Sequence, residues 1–272
     1  MKISLSIAIY KSTDFLNRVL ESVKRQSLMP DQLIITEDGE FADNKKLVDE
    51  WRKKLNIPIN HITQKDIGNR KPLALNKAVL ASEHEYMVFI DGDVVLHKDF
   101  ILAHKEMADE KAFLTGRRVE LSKSAADYLT AERIAAGYLE KMPFYLLWDS
   151  IAGETYKFWR FFKTPKFLLG LFDQTTVHDI RGCNFSVHKK HLIAINGFGN
   201  DFSGAYGEDS DVEYRLKFLG LKMKSVKGEA LQYHLWHKTQ TKDLANQERL
   251  DELVKRGVAR TENGLQQSSS IQ

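Results

Sequence analysis

The stretch Tyr86-Met-Val-Phe-Ile-Asp91-Gly-Asp93 is an apolar run that stops on two carboxylates. Met87, Val88, Phe89 and Ile90 predict a buried strand, because the run is too short for a globular helix and rich in sheet-forming side chains. Two acids flanking a glycine at the end of such a strand lie at the rim of a sheet, where they repel each other and attract a divalent cation. Their oxygen donors suit Mg²⁺ or Mn²⁺, ions that in turn bind a diphosphate. Asp-Gly between apolar strands also fits a hairpin with a type I′ turn. Both a metal site and a hairpin remain open from this stretch alone.

The chain around it has 272 residues, enough to bury a full core as one large α/β domain or two small ones. Its 40 basic and 37 acidic residues leave a net charge of +3, too balanced for a nucleic-acid partner, which leaves a concentrated basic footprint. The single cysteine, Cys183, excludes an intramolecular disulfide and a cysteine-based zinc site, and fits a reducing compartment. The N-terminus lacks the apolar core of a signal peptide. No apolar run reaches the ~18 residues a membrane span requires. These features predict a cytoplasmic protein.

Strand and helix signals alternate through the first half. Ile3, Leu5, Ile7 and Ile9 alternate as a strand. Ser12 is then placed to cap a helix whose apolar face is Phe15, Leu16, Val19, Leu20 and Val23. A second strand, 33–36, runs into Glu37-Asp38-Gly39. A polar helix over 43–55, a strand over 57–63 and a helix over 72–81 lead to the acid-terminated strand. This pattern predicts a mostly parallel sheet with helices on both faces, and ligands beyond the carboxyl ends of its strands. Asp38, Asp91 and Asp93 all fall at those ends. After residue 122 the alternation lapses. A helix over 125–140 and an aromatic-rich stretch over 145–172 follow, then a strand over 180–187, a helix over 208–219, a strand over 222–226 and a polar helix over 241–256. The tail from Thr261, with three consecutive serines, predicts disorder.

Three further features carry chemistry. Glu37-Asp38 ends the second strand. Gly68-Asn-Arg70-Lys71-Pro-Leu-Ala-Leu-Asn76 sets a glycine and two cations at a helix start, which suits a phosphate. Gly207-Glu208-Asp209 opens a helix continued by Val212, Leu216 and Leu219; there the two acids also complement the helix dipole, worth about 0.3–1 kcal/mol each.

At these residues the chain resembles the GT-A-fold glycosyltransferases of family 2. The resemblance runs from Ile3 to Tyr233. It covers Ser6-Ile-Ala-Ile-Tyr-Lys, Ser22-Val-Lys-Arg-Gln26, Glu37-Asp38-Gly39, Lys71 with Ala74-Leu-Asn76, Phe89-Ile-Asp91-Gly-Asp93 and Gly207-Glu-Asp209. Arg181-Gly-Cys-Asn184-Phe-Ser-Val, followed by Asn196-Gly-Phe, resembles the family's segment before the Glu-Asp helix.

The resemblance implies a GT-A fold: a Rossmann-like, mostly parallel sheet flanked by helices, with a C-terminal acceptor half. It implies one domain over 1–260, divided into a nucleotide-sugar half (1–122), an acceptor half (123–240) and a C-terminal helix (241–260), before a tail at 261–272. It further implies that Asp38 accepts from the uracil N3, that Arg70 or Lys71 faces the nucleotide, and that Ala8, Tyr10 and Gly92 line the same nucleotide-sugar site. Asp91 would hold the ribose or a metal-bound water, and Asp93 the metal. Asp209 would be the general base and Glu208 an acceptor contact, with Asp211 the next candidate base. His234 in His234-Leu-Trp-His237 matches a family metal ligand, and imidazole favours Mn²⁺ over Mg²⁺; a pair of polar loop histidines is the alternative.

The activity so implied is inverting transfer of a hexose or N-acetylhexosamine from a UDP-sugar to a glycan or glycolipid, in polysaccharide or lipopolysaccharide synthesis. A sugar-nucleotide nucleotidyltransferase should show a glycine-rich loop after the first strand, where Tyr10-Lys-Ser-Thr stands instead. A non-catalytic glycan- or nucleotide-binding module is the third reading. The segment Tyr156-Lys-Phe-Trp-Arg-Phe-Phe-Lys-Thr-Pro-Lys-Phe-Leu-Leu-Gly-Leu-Phe172 interleaves cations with aromatics. It suits either an acceptor pocket or peripheral contact with the inner face of the cell membrane.

Overall fold

The computed structural model of the chain describes residues 1–141, 179–204, 206–238 and 244–268. The aromatic-basic segment 156–172 lies outside the described residues. In the first half the elements run β1 (Ile3–Ile9), α1 (Thr13–Lys24), β2 (Gln32–Asp38), α2 (Ala42–Trp51), β3 (Ile59–Gln64), α3 (Lys71–Ala81) and β4 (Tyr86–Asp91). Then come β5 (Val94–Leu96), α4 (Phe100–Met107), β6 (Ala112–Thr115), β7 (Val119–Glu120), α5 (Lys123–Tyr128), α6 (Ala131–Ala135) and a 3₁₀ turn, Tyr138–Glu140. Beyond the undescribed stretch lie β8 (Phe185–His188), α7 (Lys189–Ala194), α8 (Glu208–Phe218), β9 (Lys222–Ser225), β10 (Gln232–His234), α9 (Leu244–Arg256) and α10 (Leu265–Ser268).

Seven strands form one sheet in the order β3-β2-β1-β4-β8-β6-β9, and β5-β10-β7 form a small second sheet. In the large sheet only β8 runs against its neighbours, β4 and β6. Both faces are covered. Leu16, Val19, Leu20 and Val23 of α1 pack with Ile3, Leu5, Leu33 and Val88 in one core. Leu75 and Val79 of α3 pack with Phe89, Phe185, Val212 and Leu216 in another. Alternation in β1 therefore does not mark a wet face. Ser4 is fully buried; its hydroxyl donates to Gln32 Oε1 at 2.7 Å and accepts from Ser82 at 3.0 Å. A parallel sheet enclosed on both sides demands such pairing.

The Asp91-Gly92-Asp93 turn is no hairpin, because β4 and β5 belong to different sheets. Gly92 donates its N–H to Ala8 O at 2.8 Å, and a Cβ there would lie 2.4 Å from Ile9 Cγ2. Only glycine permits this approach, which drops the chain from the large sheet to the small one.

Four expectations are corrected. Ser12 sits before α1 but makes no side-chain cap bond; the neighbouring Thr13 hydroxyl instead donates to Asn44 Oδ1. The helix expected over 125–140 is broken into α5, α6 and the 3₁₀ turn. Thr130 accepts from Arg133 N and restarts the helix, while Arg18 takes the α5 carbonyls of Ala126 and Leu129. The strand expected from Ile180 begins at Phe185, since Asn184 N turns back to Arg181 O at 2.8 Å. The tail is ordered as far as Ser268: Leu265 is buried and its N–H reaches Asn196 O, while Asn200 holds Gly264 O at 3.0 Å. Long-range contacts thus hold the described part of the tail.

Arg215 on α8 is fully buried. Its Nε donates to Asp211 Oδ1 at 2.8 Å, and Nη1 donates to Ile195 O at 2.8 Å and Gly197 O at 2.7 Å. Arg215→Leu strands a buried carboxylate and should cost about 3–5 kcal/mol. Urea titration checks this, and an unchanged midpoint would exclude Arg215 as a structural anchor.

Candidate active site

The strand ends build the site. Asp38 terminates β2 and is buried; Oδ1 accepts from Gln64 Nε2 at 2.7 Å and Oδ2 from Arg70 N at 2.7 Å. It thus ties the loop after β3 to the sheet. The Arg70 guanidinium folds back onto Lys65 O. Ala8 contributes its carbonyl to Gly92, and Tyr10 is exposed, with its hydroxyl on Asp66 Oδ2 at 3.2 Å. Glu37 lies wholly inside, accepting from Asn44 and pairing with His61 Nε2 at 2.9 Å. Asn44 also donates to Lys11 O at 2.8 Å. Lys11 has a left-handed φ of 63°, and its ammonium lies 4.6 Å over the Tyr10 ring.

Asp93 faces the small sheet. Pairing of β10 with β5 sets His234 opposite Val94, and Leu235 N donates to Asp93 O at 2.8 Å. Asp93 Oδ2 lies 3.3 Å from His234 Nε2 and 3.0 Å from His237 Nε2. The two imidazole nitrogens are 3.1 Å apart, a spacing that admits one shared proton or a cation but not two opposed N–H groups. Asp93 Oδ1 is buried and has no hydrogen-bond partner among the described residues. One carboxylate and two imidazoles, with ligand atoms all within 4.8 Å of one another, offer a mixed oxygen and nitrogen donor set for a divalent metal ion.

A supporting layer orients the set. His234 Nδ1 donates to Glu120 Oε2 at 2.7 Å, which leaves Nε2 toward Asp93, and Arg118 Nε donates to Glu120 Oε1 at 2.7 Å. Burial opposes charge on Asp93, but hydrogen bonds from His234 and His237 hold its carboxyl well below the usual range. Burial likewise opposes charge on Glu120, yet His234 and Arg118 bring it down to about 2. Against its own burial, His234 is raised to about 9 by Asp93 and Glu120. His234 was expected here and His237 was not, although His-x-x-His was visible; its loop position concealed that both rings turn to one carboxylate.

The third group gathers at the start of α8. Gly207 has φ of 108° and Tyr206 has φ of 91°, and this tight entry delivers Glu208 and Asp209. Asp209 Oδ2 accepts from Gly182 N at 2.8 Å, and a Cβ on Gly182 would meet Oδ1 at 2.2 Å. Lys71 Nζ lies 2.8 Å from Asp91 Oδ1 and 3.3 Å from Glu208 Oε1. Burial, then the charges of Glu208 and Asp91, push Asp209 up to about 7, with Lys71 and the Gly182 amide opposing. Asp211, the alternative base, is corrected: it is buried, paired with Arg215 and accepts from Gly199 N at 3.1 Å, so it faces away from solvent as a structural anion. Gly182 and Asn44 were not expected at the site, because their roles rest on backbone approaches between distant segments.

Comparison with known proteins places these residues in a family. The model described as Glycosyl transferase family 2 matches residues 4–195, and one described as N-terminal domain of galactosyltransferase matches residues 174–239. Chondroitin synthase of Escherichia coli is 25% identical over 245 residues, covering 85% of this chain and 34% of the synthase. The chain therefore spans about a third of that relative's length. The structure of S. aureus TarS 1-349 in complex with UDP-GlcNAc aligns at TM-score 0.59 and 14% identity, over 100% of this chain and 70% of that one. Mannosyltransferase PcManGT from Pyrobaculum calidifontis, in complex with GDP-Man and Mn²⁺, aligns at TM-score 0.59 and 13% identity, over 87% of this chain and 57% of that one. The fold is GT-A.

The Asp209 environment has a consequence for stability. A carboxyl raised from the ordinary range to about 7 keeps its proton in the folded state while the unfolded chain has lost it. Stability therefore falls as pH rises between about 4 and about 7. Asp209→Asn removes that loss and should be more stable than the parent, by a margin that opens across this window and stays constant above it. Thermal melts across pH check this; a margin independent of pH would place the titration elsewhere.

Proposed function

We propose that this chain, which belongs to glycosyl transferase family 2, transfers a hexose or N-acetylhexosamine from a UDP-sugar to a glycan or glycolipid acceptor, inverting the anomeric carbon. One observation carries the proposal: a single rim of the sheet holds a carboxylate–imidazole ligand set and, on another element, a buried carboxylate with raised proton affinity. The first suits the leaving diphosphate and the second suits the attacking hydroxyl. The UDP-GlcNAc complex of TarS and the name of the chondroitin synthase support the donor and acceptor classes.

Asp93, His234 and His237 would hold the metal, with Glu120 orienting His234. A bound Mn²⁺ supplies Lewis-acid neutralisation of the charge that develops on the diphosphate. Asp38 anchors the loop under the base and is the candidate partner of the uracil N3, with Ala8, Tyr10, Arg70, Asp91 and Gly92 beside the nucleotide. Glu208 contacts the acceptor. Asp209, near half-ionised at neutral pH, takes the acceptor hydroxyl proton. The acceptor oxygen bonds to the anomeric carbon as the bond to the diphosphate oxygen breaks, and the electron pair leaves with the nucleoside diphosphate. One displacement turns an α-linked donor into a β-linkage. The Lys11 turn after β1 contains no glycine loop for a nucleotidyl phosphate chain, which disfavours the pyrophosphorylase-type alternative.

A single domain over 1–260, acting at the cytoplasmic side of a membrane, fits this activity. Among the described residues no helix is long and apolar enough to cross a membrane.

Two outcomes are expected. Asp93→Ala should abolish Mn²⁺-dependent UDP binding in a variant that still folds by circular dichroism; calorimetry showing intact affinity would remove Asp93 from the metal site. Asp209→Asn should lower turnover roughly 10²–10⁴-fold with little change in UDP affinity. Steady-state kinetics with a saturating donor would decide this, and full turnover would assign the proton to another group.

A further inference from the structure

Lys71 is the first residue of α3, the end of a helix where its dipole disfavours a cation. A lysine kept there needs compensation, and three carboxylates supply it. Asp91 closes β4 at 2.8 Å, Glu208 opens α8 at 3.3 Å, and Asp209 lies within electrostatic range. One ammonium thus spans the strand assigned to the donor and the helix assigned to the acceptor. Burial opposes its charge, yet the three acids hold its proton affinity well above that of a free lysine.

We propose that Lys71 is a positioning residue for the transfer: its ammonium ties the start of α8 to the end of β4 and supplies the counter-charge of an ionised Asp209. This rests on the proposed transferase activity and assigns Lys71 to the carboxylates that join the donor and acceptor elements rather than to the nucleotide itself. Among the described residues the groups that act on Asp209 are Glu208 on its own helix, Lys71 from α3, Asp91 from β4, the Gly182 amide, and the Cys183 thiol, which burial pushes up to about 12 and so keeps neutral. Lys71 is the cation of this set. During transfer the acceptor proton moves to Asp209, and Lys71 stays charged against Asp91 and Glu208.

The test replaces the charge and reads Asp209 directly. Carboxyl ¹³C NMR of the free protein, assigned with Asp209→Asn, follows its titration in the parent, Lys71→Met, Lys71→Gln and Lys71→Arg. The two uncharged variants should raise the Asp209 midpoint by about 1–3 pH units, and Lys71→Arg should leave it near the parent's. Lys71→Gln serves if Lys71→Met does not fold. The acid limb of kcat/KM should shift by the same amount, so activity is lost at low pH and recovered at high pH. A loss uniform in pH with an unmoved carboxyl midpoint would overturn the proposal. A moved midpoint in a parent that transfers no sugar would leave Lys71 in place and overturn the transferase activity instead.

Discussion

The close approach of Gly92 to β1 is the constraint on which the site depends. With no side chain at residue 92, the turn packs against Ala8 and Ile9, and the chain leaves the large sheet within two residues. Asp91 then points to Lys71 at the start of α3, while Asp93 points to His234 at the end of β10 and His237 just beyond it. A hairpin at the same sequence would have set both carboxylates on one ribbon. Instead one strand end serves two electrostatic neighbourhoods of opposite character. The Asp93 side pulls a carboxyl far down with imidazole bonds, and the Asp209 side pushes a carboxyl up by burial and like charge. Separating proton affinities in this way is how a site assigns one carboxylate to a cation and another to a proton.

The rest of the fold holds those neighbourhoods in register. Parallel pairing of β1 with β2 and β4 brings Asp38 and Asp91 to the same edge. The antiparallel β8 starts beside the carboxyl end of β4, and the Gly182 amide just before it meets Asp209. Arg215 anchors α8 from below through Asp211, Ile195 and Gly197, so the helix start that carries Glu208 and Asp209 is positioned by a fully buried ion pair. Stability and chemistry share one helix, on residues two to seven positions apart.

Much of this was legible in the residues themselves. The apolar run ending in Asp91 marked its strand end, and the alternation of strand and helix signals gave the parallel sheet its prior. The Asp211–Arg215 pair was legible too, as an i,i+4 ion pair, yet Asp211 stood as the next candidate base after Asp209 because it lies two positions on. What stayed hidden depends on contacts between distant segments. Asn196 and Asn200 hold the stretch 264–265 by accepting from and donating to its backbone, which its polar composition does not disclose. Likewise no spacing rule reports that Lys71 turns to Asp91 and Glu208, since the three residues meet only in the folded chain.

The most direct measurement is release of free UDP from a panel of UDP-sugars, made once with Mn²⁺ and once with a chelator. Metal-dependent release of UDP from at least one of them, with the sugar passed to water or to an added glycan, is the predicted result. Release of sugar 1-phosphate, or no reaction of any donor with Mn²⁺ present, would contradict the account.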